Sequence, residues 1–178
     1  NGSYEAALNL TTQDHPDFWF YVPYNLDGSI PLEFVLQDKE GSIVHQTEVT
    51  PVANSAGIVQ MGLPETLPPL TEGQAYRWFF IVHCDSRVPV FVEGSIEKTS
   101  TTAEMRSQLE QASPRDQAAL YASEGIWQDA LDTLATLYRE SPSDTSLQED
   151  WVDLLTSAGL EEVAAEPFLE QPDSASPK

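Results

Sequence analysis

Over the first hundred residues, apolar positions come in short runs, broken by polar stretches rich in Pro, Gly, Asn and Asp. That spacing predicts strands at Tyr4–Leu10, Phe18–Tyr24, Leu32–Gln37, Ile43–Val49, Ile58–Leu63, Ala75–His83 and Val88–Lys98, with turns at Asp27-Gly28 and Glu40-Gly41. Leu32, Phe34 and Leu36 alternate with Glu33 and Gln37, as on a half-buried strand, whereas Trp78 to Val82 is continuously apolar and reads as a central strand buried on both faces. Phe18, Trp19, Phe20 and Tyr21 are consecutive and must point to both faces of a sheet; where one face is open, Phe18 and Tyr21 become candidates for partner binding. Seven strands with no helical period between them predict an antiparallel β-sandwich, Ig-like with Greek-key connections. Leu70-Thr71-Glu72-Gly73-Gln74-Ala75-Tyr76 has the spacing of a tyrosine corner, in which the Tyr76 hydroxyl reaches back to the main chain across a turn at Gly73.

The period changes near Thr99. A polar linker, Thr99-Ser100-Thr101-Thr102, leads into Ala, Leu, Glu and Gln at helical spacing, with Thr102 as a cap, and no strand pattern returns. A shift of 34 residues superimposes Tyr121 on Leu155, Gly125 on Gly159, Ile126 on Leu160, Ala130 on Ala164 and Leu134 on Phe168. With Pro142 terminating the first unit, this predicts tetratricopeptide-like helical hairpins, Gly125 and Gly159 at helix C-termini and Ala130 and Ala164 at close helix crossings. Ala130→Trp should break this part, and Asp129→Trp should be milder if Asp129 is exposed. The reading therefore divides the chain into a β-sandwich at 1–99, a helical domain at 100–169 and a disordered tail at 170–178.

Charge narrows the function classes. There are 29 acids against 8 bases, formally -21, with 13 against 4 over 1–99 and 16 against 4 over 100–178, so both parts are acidic. Such a field repels nucleic acid and anionic membrane surfaces and favours basic partners. No stretch reaches the length of a membrane span. Asn1-Gly2-Ser3 has the look of a cut end, so an upstream segment is expected. Cys84, the one cysteine, lies in an apolar run and reads as an inert buried thiol.

Candidate chemistry is sparse. His15, His45 and His83 fall on separate segments, and a metal site would need two to converge with a carboxylate; His45 and His83 are the pair that neighbouring strands could bring together. In His83-Cys84-Asp85 the acid disfavours the thiolate that nucleophilic work needs. Asp14 and Asp17 are the calcium candidates among loop acids. No phosphate-binding glycine loop and no nucleophile elbow occur, and no cofactor, resident metal or catalytic residue is expected.

The chain resembles the cyanobacterial proteins grouped as domain of unknown function 928. The resemblance runs from about Leu8 to Ala165 and is carried by Phe18-Trp19-Phe20-Tyr21-Val22-Pro23-Tyr24, Glu33-Phe34-Val35-Leu36-Gln37-Asp38, Gly57-Ile58-Val59, Tyr76-Arg77-Trp78-Phe79-Phe80, Cys84-Asp85, Val92-Glu93-Gly94 and Ala119-Leu120-Tyr121-Ala122-Ser123-Glu124-Gly125-Ile126-Trp127-Gln128-Asp129-Ala130-Leu131. It implies a cyanobacterial source, often a secretory signal, hence an extracytoplasmic location in the periplasm or at the cell surface, and no known activity. It leaves open whether Cys84 has a disulfide mate in a longer chain.

The expectation is a non-enzymatic protein-interaction module of the cell envelope. Its partner, expected to be basic, would bind along a helical groove between Arg115–Glu124 and Leu147–Ser157, where Glu149, Asp150 and Asp153 surround Trp151, or on the sheet face near Phe18 and Tyr21. The alternatives are a structural subunit of a surface assembly built by pairing of open sheet edges, and an enzyme whose site carries no recognised motif.

Overall fold

The computed structural model describes residues 8–84 and 88–170; Asn1-Gly2-Ser3, the first residues of the expected Tyr4–Leu10 strand, Asp85 and the expected tail from Gln171 lie outside them. Seven strands come first: β1 (Leu8–Thr11), β2 (Asp17–Val22), β3 (Leu32–Gln37), β4 (Ile43–Val49), β5 (Gly57–Gly62), β6 (Ala75–Val82) and β7 (Val90–Lys98). Four helices follow, α1 (Ala103–Gln111), α2 (Pro114–Ser123), α3 (Trp127–Glu140) and α4 (Thr145–Ser157), and then a single 3-10 turn, Glu161–Val163. The fold is thus mixed α and β: a five-stranded sheet in the order β1-β7-β6-β3-β4, a two-stranded sheet of β2 and β5, and the helices. Among the described residues no helix is long and apolar enough to cross a membrane.

The two sheets share one core. Phe18, Phe20 and Val22 of β2 and Val59 and Met61 of β5 pack with Leu32, Phe34, Leu36, Tyr76, Phe80, Val82 and Ile96 of the larger sheet. Phe20 and Phe80 stack with centroids 4.1 Å apart and planes 7° from parallel. Burial of each such side chain contributes about 1.5–3 kcal/mol. At the turn before β6, the Thr71 N–H donates to the Tyr76 hydroxyl at 3.0 Å, and Gly73 takes φ 72°.

Two expectations about the strands need correction. The pairing is not antiparallel throughout, because β1 runs parallel to β7. Trp78–Val82 does lie in the central strand, but it is not buried on both faces: Phe79 and Ile81, on the outer face of the large sheet, are only half-buried, and no second layer covers that face among the described residues.

The opposite face of the small sheet meets the helices. Ile58 of β5 is buried with Ala118, Leu134, Ala135, Leu147, Trp151 and Leu155, and Trp19 of β2 packs against them. Polar contacts cross the same interface. Gln128 donates to the Asp17 carbonyl, the Trp19 indole N–H donates to Asp132 at 3.0 Å, and Arg139 donates to Gln60 at 2.8 Å. A boundary at residue 99 therefore separates types of secondary structure, while packing is continuous across it.

In the helical part, Thr102 caps α1 by accepting from the Met105 N–H. Gly125 and Gly159 follow α2 and α4 with φ 75° and 71°, where a Cβ would be strained. After each, the chain makes the same closing bond, Ile126 N–H to Tyr121 O and Leu160 N–H to Leu155 O, both at 2.9 Å. Ala130 and Ala164 are buried, and Pro142 stands exposed just beyond the end of α3. The second hairpin is incomplete: its expected second helix is reduced to the turn Glu161–Val163. Pro167 blocks helical continuation, and β5 captures the chain instead, Ile58 N–H donating to Pro167 O at 2.7 Å and Leu169 N–H to Ile58 O at 2.8 Å.

Candidate functional site

An apolar cleft lies where the small sheet, the large sheet and the helices meet. Trp19, Phe20 and Tyr21 of β2 form one side of it, and Ile58 and Phe80 lie at its base. Val92 of β7 closes one end, and Leu131, Trp151, Leu155, Leu160 and Val163 make the helical wall. The cleft holds about 310 Å³. That is the size of a single apolar anchor or small ligand. Its mouth is apolar too: Tyr21 is 36% exposed and Val92 52%, and Leu160 is also open to solvent. Outside the cleft Val90 is also exposed on the same face of β7, while Phe91 is exposed on the outer face against Phe79.

The cross-strand register explains why Val90 and Val92 are uncovered. They pair with Val82 and Phe80, so their side chains share the inner face of the large sheet. A facing sheet of only two strands stops short of them. Gly94, further along β7, is covered differently: the Trp78 indole lies over it, so close that an added Cβ would fall 2.2 Å from the ring.

Several titratable groups lie at or behind the cleft. Loss of water and the neighbouring Glu166 push the Tyr21 phenol up. Behind the cleft, burial and then repulsion from Asp17 raise the Asp132 carboxyl to about 6, against the opposing hydrogen bond from Trp19. Burial likewise pushes Asp17 up. Next to it, Asp129, 2% exposed, accepts from the Thr11 hydroxyl, from the Thr12 N–H at 2.9 Å and from the Thr12 hydroxyl. Asp129 is therefore no exposed neighbour of Ala130, and the contrast between tryptophan substitutions at the two positions disappears.

The residues expected to bind a partner are scattered. Trp151 is 1% exposed and packs against Phe168 and Tyr138, with ring centroids at 5.3 and 6.1 Å; it is core, and only its edge reaches the cleft. Its indole N–H has no hydrogen-bond partner among the described residues. Glu149 and Asp153 are exposed on another side of α4 around a shallow depression with Gln148 and Val152. Asp150 is engaged by the Arg115 guanidinium through both oxygens. That pair bridges the expected groove between α2 and α4, which measures about 290 Å³. Phe18 is buried in the core between the sheets, so of the two sheet residues only Tyr21 reaches a surface.

The histidines do not converge. β3 lies between the strands that carry or precede His45 and His83; burial pushes His45 down, and His83 instead contacts Glu33 at 2.7 Å. His15 contacts the Leu67 carbonyl at 2.8 Å. Asp14 is held by Lys98, and Asp17 belongs to the sheet–helix interface. Among the described residues no three His, Cys, Asp or Glu side chains are grouped to hold a metal ion.

A family model described as Domain of Unknown Function (DUF928) matches residues 4–168. No curated protein matches the chain. Among solved structures, the Parabacteroides merdae β-glucuronidase is similar at 9% identity, covering 89% of this chain and 34% of its own, with a TM-score of 0.31. The chain thus spans about a third of that protein, and a likeness at that score carries no argument about fold or chemistry.

Proposed function

Because the chain belongs to the DUF928 family, for which no activity is described, its site has to speak for its function, and we propose that it is a non-enzymatic protein-interaction module whose partner docks on the apolar cleft between β2, β7 and α4. One observation carries the reading: a cleft of about 310 Å³ lined by aromatic and aliphatic side chains opens to solvent and runs on, along the same face of β7, into exposed Val90. Apolar surface left open at a concave junction is characteristic of docking sites. The paired sheets around one core and the Thr71–Tyr76 bond favour an Ig-like sandwich as the scaffold, and the matching closures after α2 and α4 favour descent from tetratricopeptide-like hairpins.

The test is paired affinity capture from the native envelope fraction with the wild-type chain and a Val90→Glu/Val92→Glu variant, followed by calorimetry with the purified partner. A partner retained by the wild type and lost by the folded variant supports the reading; identical sets overturn it. The envelope location is part of the same proposal. Recovery of the native protein only in the cytosolic fraction would refute that part.

A further inference from the structure

The hydrogen-bond phase of the small sheet shows which main-chain groups face the cleft. In an antiparallel pair, opposed residues alternate between exchanging both main-chain bonds and exchanging none. Ile58 turns both its N–H and its C=O away from β2, toward Leu169 and Pro167. Its partner across the ladder is Tyr21, so Tyr21 turns its own pair away from β5, as does Trp19 two residues back. Asp17 has the same phase, and its outward carbonyl is taken by Gln128. The outward N–H and C=O groups of Trp19 and Tyr21 have no partner among the described residues. β2 therefore offers a free edge of hydrogen-bonding groups along one side of an apolar cleft.

A strand laid on that edge would extend the small sheet over the part of the large sheet it leaves bare. Side chains on one face of the incoming strand would cover Val92 and Val90, and those on the other would meet Leu131, Leu155 and Leu160. Both alternating sets then face apolar surface, so the occupant is apolar at successive positions, unlike an ordinary half-exposed strand. The two free residues need about five residues of partner, on the order of 16 Å at ~3.3 Å per residue. The rim beyond is acidic: Glu166 adjoins Tyr21, Glu161 and Glu162 are exposed next to Leu160, and the whole chain carries a formal -21.

We propose that the free edge of β2 accepts, by main-chain pairing, an extended apolar segment of a partner protein that is flanked by basic residues. The inference rests on the cleft being the docking site and adds how the partner is held.

The probe is a synthetic peptide of five alternating Val, Ile and Phe residues between paired lysines, with two analogues, each N-methylated at alternate amides. The full chain is used throughout. One analogue should bind at least about tenfold more weakly, as loss of two main-chain bonds requires, and the other should bind like the parent. Amide exchange at Trp19 and Tyr21 should slow by a similar factor, and Val92→Glu should weaken the parent peptide while the circular dichroism stays native. Equal binding of both analogues, with exchange at Trp19 and Tyr21 unchanged, would overturn strand addition and leave apolar docking intact. Absence of binding by any peptide would overturn it too, whereas the docking reading is judged separately by the capture comparison. Protection of Trp19 and Tyr21 in the free chain that rises with protein concentration would make a second copy the occupant and would likewise overturn the proposal.

Discussion

Two aspartates three residues apart on α3 show how differently one side chain type is treated within one interface. Asp129 is buried but fully engaged by Thr11 and Thr12, so its burial is compensated by directed hydrogen bonds. Asp129→Ala would leave those donors without an acceptor. It should cost about 3 kcal/mol in a urea melt, and a loss below about 1 kcal/mol would show that water replaces the carboxylate. Asp132 has one donor, Trp19, and two neighbouring carboxylates, and its folded-state value stands near 6. A raised carboxyl favours the protonated folded state. Its contribution is complete below the unfolded value near 3.8 and is lost as pH rises through about 6. Asp132→Asn should therefore be more stable than wild type at about pH 7.5, with the gap narrowing as pH falls through about 6 and closing only towards 3.8, measured as paired melting temperatures. A gap independent of pH would mean that Asp132 does not titrate in that range.

At the scale of elements, strand pattern was legible and partnership was not. β3 and β4 have the bounds that alternation predicts, because Leu32, Phe34 and Leu36 each face one core. β7 carries Val90, Phe91 and Val92 in succession, a pattern that ordinarily marks burial on both faces; here all three are exposed, because among the described residues neither the facing two-stranded sheet nor an outer layer covers them. That run was the available signal for the cleft. Acids flank Trp151 in sequence, which made it a candidate for binding, yet Leu147, Trp151 and Leu155 recur every four residues and all are buried, so the helical period favours the core. Asp129 gave no such signal: its partners lie 117 and 118 residues away, and no local pattern carries that distance. The same limit hid the capture of Pro167 and Leu169 by Ile58. Gly94 ties an element-level prediction to this picture. Gly94→Ala would drive the Trp78 ring off β7 and disturb its edge contacts with Phe18 and Phe20, whose centroids lie at 6.4 and 5.4 Å. Overpacking of this kind costs about 1–3 kcal/mol, and a melt unchanged from wild type would show that the indole has room to move.

For the whole molecule, the governing fact is that the small sheet is packed on both faces, by the large sheet on one and the helices on the other. Without the helices, Ile58 and Trp19 would face water and Thr11 and Thr12 would lose Asp129. The boundary at residue 99, plain in the change of sequence period, is thus a poor place to cut. The full chain should unfold in one transition, with helical circular dichroism at one midpoint with tryptophan fluorescence, since Trp19 and Trp151 report the interface and Trp78 the core between the sheets. A chain ending at Thr99 should melt at far lower denaturant or without cooperativity. The charge acts against this unit: a formal -21 with few compensating bases repels itself, and added salt screens that repulsion over a Debye length of ~8 Å near physiological strength. Raising sodium chloride should therefore increase the midpoint of the single transition while slowing association with any basic partner. Two separated midpoints, with salt moving only the helical one, would instead establish that helices and sheets are independent units.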